Sequence, residues 1–219
     1  MIYVYAREMD AIWFGVAYAG ERIAATALNA TRESVLERLM GSLPAEVEHR
    51  IVNGESDFAE KTIIMLKELH AGNEESKHFA LAAEYLSEPA AKVLRTAAAI
   101  PLGYVTSYGD IARTAGTGPR VVGQIMATNP LYPIVPCHRV VGADFSLVGY
   151  GGGKGPKALQ AKLARLSKEA RGFTNKKSVP VNGKSLTVYP VEYVIKKAKK
   201  YHSDFPPQQR LLDNSEPAT

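Results

Sequence analysis

The sequence predicts an α/β (α+β) fold in two parts with a C-terminal extension. Three observations carry that reading. Apolar and polar residues alternate over 2–28. Apolar residues recur at helical spacing through much of 31–72 and 87–172. A proline-spaced stretch holding the only cysteine, Cys137, interrupts the second part. The expected domains are 1–86, a small N-terminal domain of antiparallel sheet with helices; 87–172, a helical domain holding a helix-turn-helix of winged-helix type; and 173–219, an extension with no assigned role.

In chain order, Ile2 and Val4, then Ile12, Phe14, Val16 and Tyr18, then Ile23 read as short antiparallel strands, with turns expected at Gly15 and Gly20. Thr31 caps a helix whose Val35, Leu36, Leu39 and Met40 share a face; Gly41 and Pro44 end it. Asp57, with Glu60 three residues on, reads as a capping box opening a helix that carries Phe58, Thr62, Leu66 and Leu69 inward and stops near Gly72. The polar residues 72–78 read as a linker.

The second part starts at Ser87-Glu88-Pro89, a helix-start signal, with Val93, Leu94, Ala97 and Ile100 as its buried stripe and Pro101 to Gly103 as its break. Ser107 and Asp110 then form a capping box for a short helix through Ala115, ended by Gly116. Pro119 suits the first position of the next helix, which Asn129-Pro130 stops. Two helices across a tight glycine turn fit a helix-turn-helix, although from pattern alone an ordinary αα-hairpin is the favoured reading.

Pro130, Pro133 and Pro136 lead to Cys137. Proline fixes φ and pushes its predecessor out of the helical region, so the approach is expected to be stiff and extended. The glycine-rich 148–155 (VGYGGGKG) lacks the ending of a phosphate loop; it suits unusual backbone angles or close approach to a ligand. Pro156 starts a helix with Leu159, Leu163 and Leu166 on one face, ending near Gly172. Asn182-Gly183 between Val179 and Val188 predicts a type I′ hairpin, residues 191–201 a basic helix, and the last dozen residues a frayed end.

Composition bounds the function. A single cysteine excludes an internal disulfide framework and a multi-cysteine zinc site, and fits a reducing, cytoplasmic setting. The opening MIYVYAREMD does not read as a signal peptide, and no apolar run is long enough for a bilayer, so no membrane partner is expected. Net charge of +5 permits a polyanionic partner without requiring one.

Cys137 reads as a nucleophile rather than a buried small hydrophobe. It sits on a rigid approach, and its basic neighbours His138 and Arg139 favour the reactive thiolate. Adjacent side chains diverge, so a water relay to His138 is as plausible as direct contact. Glu169 is the only carboxylate between Asp144 and Glu192, but by pattern alone it is a solvated partner of Arg165. By the same standard Arg120 is a surface arginine.

Taken together, SYGDIA at 107–112, PRVVGQIMATNP at 119–130, IVPCHRVVG at 134–142 and GYGGG at 149–153 resemble the O6-alkylguanine-DNA alkyltransferases, the methylated-DNA–protein-cysteine methyltransferases. The resemblance covers Ser87 to Gly172, with the N-terminal segment weaker and nothing matching beyond about 172. It implies a monomeric, cofactor-free and metal-free DNA repair protein of the cytoplasm. Its partner would be double-stranded DNA containing O6-alkylguanine, and its chemistry a single irreversible alkyl transfer to Cys137. His138 would be the base acting through water and Glu169 its orienting group, although the loop before that helix is about five residues longer than usual. Asn129 would fix the hinge before an active-site strand, and Tyr108 would polarise or protonate the flipped guanine. Tyr150 and the amide of Gly151, where the family usually has serine, would line the pocket with Pro136; carbonyls near Cys137 and Val140 would read the exocyclic amine. Arg120 would fill the space of the extruded base, with Gly123 and Ala127 allowing close approach to the minor groove. Two rivals follow: an alkyltransferase-like protein that only binds damage, which has tryptophan at position 137, and a cysteine-histidine thiol hydrolase.

Overall fold

The fold is taken from a computed structural model that describes residues 1–54, 56–73 and 80–204. β1 (Ile2–Met9), β2 (Ile12–Ala19) and β3 (Arg22–Asn29) form an antiparallel meander. α1 (Arg32–Met40) follows, then β4 (His49–Ile51), α2 (Asp57–Ala71) and β5 (Ala80–Leu81). β4 and β5 add in parallel at the two edges, giving the order β4-β1-β2-β3-β5.

The sheet is covered on both faces. Val35 and Leu39 of α1 pack with Ile2, Val4, Ala17 and Ala25 on one side; Ile63 and Leu66 of α2 share a core with Tyr5, Phe14, Val16 and Ile23 on the other. Double coverage explains why β2 is buried along most of its length. The second of these cores continues into the rest of the chain through Val93, Leu94, Ile111 and Leu131.

Two expectations fail here. The first turn is Asp10-Ala11, both with positive φ (53° and 61°), while Gly15 lies inside β2. A Cβ on Gly15 would stand 2.4 Å from Val35 Cγ1 and 2.8 Å from Leu39 Cδ1, so this glycine lets α1 approach the sheet. The cap of α2 is Ser56, whose hydroxyl accepts from the Ala59 amide at 3.1 Å, not Asp57. The Glu60 carboxylate is taken by the Tyr5 hydroxyl and the Arg7 guanidinium instead.

The second part runs α3 (Glu88–Ala98), β6 (Tyr104–Ser107), α4 (Tyr108–Ala115) and α5 (Pro119–Ala127), then β7 (Val140–Val141) and α6 (Pro156–Lys168). Ser107 caps α4, its hydroxyl accepting from the Asp110 amide at 2.9 Å and donating to the Asp110 carboxylate at 2.6 Å. Gly116 closes α4 in the left-handed region, and α4 and α5 pack together across residues 116–118.

The C-terminal segment supplies β8 (Lys177–Val181), β9 (Lys184–Pro190) and α7 (Glu192–Asp204). The β8–β9 turn is Asn182-Gly183, both with positive φ as a type I′ turn requires. β9 pairs with β6, giving a second sheet of order β7-β6-β9-β8, so the segment after 172 shares a sheet with the part before it. β6 has no counterpart in the sequence reading, and β7 is a short strand just past Cys137, where the resemblance implies an active-site strand; they are four and two residues long, and β6 finds its antiparallel partner more than 80 residues away. Most of the 72–78 linker and all of the expected frayed end lie outside the described residues.

Candidate active site

The approach to Cys137 is held from two directions. Asn129, buried after α5, accepts the Leu131 amide at 3.0 Å and donates to the Val135 carbonyl at 2.8 Å, stapling the loop across itself. From the N-terminal sheet, the Thr26 amide donates to the Pro130 carbonyl at 2.7 Å and its hydroxyl to the Tyr132 carbonyl at 2.8 Å. The expected extended approach is not found: residues 132–134 form a turn closed by the Val135 amide on the Leu131 carbonyl at 2.8 Å, the fold that the Asn129 staple and the Thr26 bonds hold, and Cys137 does not lie on a strand. It opens a single 3-10 turn, Cys137–Arg139, before β7. Such a turn separates successive side chains by about a third of a revolution, so the buried Cys137 and His138 face different surroundings.

Behind the thiol lies a buried ionic cluster. His138 Nε2 donates to Glu169 Oε1 at 2.8 Å; Arg139 Nε donates to Glu169 Oε2 at 2.7 Å and Nη2 to Oε1 at 3.0 Å. Arg139 also donates to the Ile100 carbonyl at 2.8 Å. Glu169 is therefore not the solvated partner of Arg165. It caps the C-terminus of α6, buried, with both oxygens used. Arg165 instead donates to Nδ1 and the carbonyl of His70 at 2.9 and 2.6 Å, and its guanidinium lies over Tyr132, tying α6 to α2.

Electrostatics assigns protons. Burial raises the Glu169 carboxyl, but the bonds from His138 and Arg139 outweigh it and bring the group down to about 2. Burial pulls His138 down to about 4 despite the carboxylate, so the ring is neutral near pH 7. An ionised carboxylate only accepts, so the ring proton sits on Nε2 and Nδ1 is the free base. Nδ1 is buried with no hydrogen-bond partner.

Burial also raises the Cys137 thiol; the Asn129 amide and the Lys162 ammonium draw it back only in part. The expected thiolate stabilised by basic neighbours is thus overturned. Arg139 is spent on Glu169, His138 is uncharged, and a thiol buried in the core is neutral at rest.

Cys137 opens into a cleft of about 550 Å³. One wall is α5, with Pro119, Arg120, Gly123, Gln124, Met126 and Ala127; the facing wall is the loop from Val148 to Lys154; Tyr108, first residue of α4, completes it. Gly151 and Gly152 take positive φ (57° and 82°), as the glycine-rich reading expected. The cleft therefore gathers Cys137, Tyr108, Tyr150, Gly151, Arg120, Gly123 and Ala127. Asn129, His138 and Glu169 lie behind it, while Pro136 and Val140 are buried supports.

Lys162 escaped the sequence reading. It falls on the apolar face of α6 and is fully buried, donating to the carbonyls of Val140 at 2.6 Å and Gly149 at 2.9 Å. Its ammonium lies 5.9 Å from the centre of the Tyr108 ring, and burial lowers it to about 8. One lone pair of the Val140 carbonyl is thereby occupied. The only sequence signal was a lysine amid the leucines of a helical stripe, which side-chain snorkelling explains as readily.

The chain is similar to known proteins over much of its length. The family model described as "6-O-methylguanine DNA methyltransferase, DNA binding domain" matches residues 88–171. A methylated-DNA–protein-cysteine methyltransferase of Methanocaldococcus jannaschii is 30% identical over 162 residues, 73% of this chain and 92% of that protein. Its namesake in Pyrobaculum aerophilum is 63% identical over 54 residues, a match spanning only 36% of that relative. Among solved structures, the O6-methylguanine-DNA methyltransferase of Pyrococcus kodakaraensis aligns with a TM-score of 0.56 at 27% identity, over 79% of this chain and all of that one. A Mycobacterium tuberculosis OGT in complex with DNA aligns with a TM-score of 0.55 at 25% identity, over 76% and 92%.

Proposed function

The chain belongs to the methylated-DNA–protein-cysteine methyltransferases, and from that premise we propose that it repairs O6-alkylguanine in double-stranded DNA by moving the alkyl group irreversibly to Cys137. One observation carries the reading: a buried thiol opens into a cleft between α5 and a glycine-rich loop, backed by a neutral histidine oriented by a carboxylate.

O6 of guanine is out of reach inside a stacked duplex, so the base must swing out, at a cost of a few kcal/mol. α5 is the helix presented to the minor groove. Gly123 and Ala127 keep its surface low, and the exposed Arg120 at its start occupies the gap left by the base. The cleft then holds the base between Tyr108 and the loop carrying Tyr150 and Gly151.

The chemistry is an in-line displacement at carbon. Because the thiol is neutral at rest, it needs a base. His138 Nδ1 takes the Cys137 proton through a bridging water, and Glu169 holds the Nε2 proton in place and stabilises the imidazolium. Lys162 favours the thiolate as it forms. The Sγ–C bond forms, the C–O6 bond breaks, and the departing guanine anion takes up a proton, with Tyr108 as donor. Burial and the nearby Cys137 raise the Tyr108 phenol, keeping it protonated for that task. The product is a thioether with no ready route to hydrolysis, so each monomer acts once, and no cofactor enters the balance.

Intact-mass spectrometry after exposure to O6-methylguanine DNA tests the proposal. One added methyl, mapped to Cys137 and absent in Cys137→Ala, is expected. DNA binding without transfer would refute it in favour of a damage-binding role, and repeated turnover of an ester in favour of a hydrolase.

A further inference from the structure

We propose that the C-terminal segment positions the substrate cleft, with Tyr189 and Tyr193 clamping Phe145 and so setting the affinity for the alkylated base; this deepens, and rests on, the alkyltransferase reading. The loop from Gly142 to Gly153 joins β7 to α6. Its first half is a tight turn: the Gly142 amide donates to the Ser146 carbonyl at 2.9 Å, and the Phe145 amide to the Gly142 carbonyl at 3.0 Å. Phe145 has φ 65°, a left-handed conformation that bulky side chains avoid and that persists only where the surroundings over-determine it.

Here those surroundings are the C-terminal segment. The Phe145 ring meets Tyr189 of β9 and Tyr193 of α7 edge-on, each at 5.2 Å between centroids. Next to it Lys197 pairs with Asp144 at 3.2 Å. The clamp is itself anchored, because Val191 and Val194 join Val105, Val141 and Leu166 in one buried cluster.

Only Ser146 and Leu147 separate Phe145 from Val148, where the cleft wall begins. The wall from Gly149 to Gly153 is mostly glycine; Tyr150 and Gly153 exchange backbone bonds at 2.9 and 3.0 Å that close it into a tight turn, but where that turn sits depends on what holds its flanks. Its N-terminal end is secured by Lys162 on the Gly149 carbonyl and, four residues earlier, by Phe145 under its two tyrosines. Tyr150 and Gly151 therefore keep their place in part because residues far along the chain fix the loop that carries them.

The test is benzyl transfer from free O6-benzylguanine to the full-length protein, followed by intact mass over a range of concentrations. Phe145→Gly removes the ring while suiting the positive φ, so its melting temperature should stay near that of the parent. In Phe145→Gly and in Tyr193→Ala the half-saturating concentration should rise about tenfold, with the limiting rate little changed, and Phe145→Tyr should restore it. A merely structural role would lower the reactive fraction and leave half-saturation of the folded protein untouched, and that result overturns the clamp. If the parent reacts and the variants match it, only the clamp fails; if the parent does not react, the alkyltransferase reading fails and takes the clamp with it.

Discussion

Replacing Glu169 by glutamine separates the two tasks assigned to this carboxylate. It accepts three bonds, two of them from Arg139, which otherwise donates to the neutral Ile100 carbonyl. Removing the negative charge leaves a buried guanidinium uncompensated, a loss of about 3–5 kcal/mol. The displacement of the carboxyl from its ordinary 4.5 to about 2 points the same way, to about 3 kcal/mol at neutral pH. For a chain of this size that is a fall in melting temperature of roughly 10 °C. Chemistry should suffer more. A glutamine amide donates to Nε2, which forces the ring proton onto Nδ1 and removes the base. An equivalent carboxylate-to-amide change in serine proteases costs about 10⁴ in rate, and about 10³–10⁴ is expected here. The assay is single-turnover transfer from O6-benzylguanine at a temperature where the variant is folded. The loss should shrink at alkaline pH, where the thiol ionises unaided. A rate within a few-fold of the parent, alongside the expected fall in stability, would refute the orienting role. An unchanged melting temperature would refute the buried ion pair.

Other consequences follow from the same geometry. His138 is held below its ordinary value when folded, so the unfolded chain binds more protons between pH 6.5 and 4 and stability is lost as pH falls through that window; Glu169, also depressed, extends the loss from 4.5 down towards 2. Melting curves against pH should show this decline, and His138→Gln should flatten its upper part. Arg120→Ala should slow repair in duplex DNA by about tenfold or more while leaving the reaction with free O6-benzylguanine unchanged; equal losses on both would sink the idea that this arginine fills the vacated stack. Gly15→Ala should cost about 1–3 kcal/mol by denaturant melting, because its methyl meets Val35 and Leu39, yet transfer by the folded fraction should be unaffected.

What the sequence by itself determined was local. Caps at Thr31, Ser87 and Ser107, the Asn182-Gly183 turn and the proline at the start of α5 and α6 act within a few residues, through φ preferences and single hydrogen bonds, so each could be read in place. The short motif around Cys137 was legible for the same reason. What only the tertiary structure decided was everything that depends on burial or on distant partners. Glu169 looked like a solvated charge because its nearest cation in sequence is Arg165; folding instead brings Arg139 to it and sends Arg165 to His70. Lys162 looked like one more amphipathic position until the carbonyls of Val140 and Gly149 closed on its ammonium. The thiol's ionisation followed burial rather than its basic neighbours, because a charge loses solvation through its whole surroundings while a sequence neighbour points elsewhere. Gly15 was mistaken for a turn because the helix that requires it lies about twenty residues further on. The extension after residue 172 acquired a place only when β9 paired with β6 and its tyrosines closed on Phe145. Such pairings are set by long-range contacts, which no window of sequence contains.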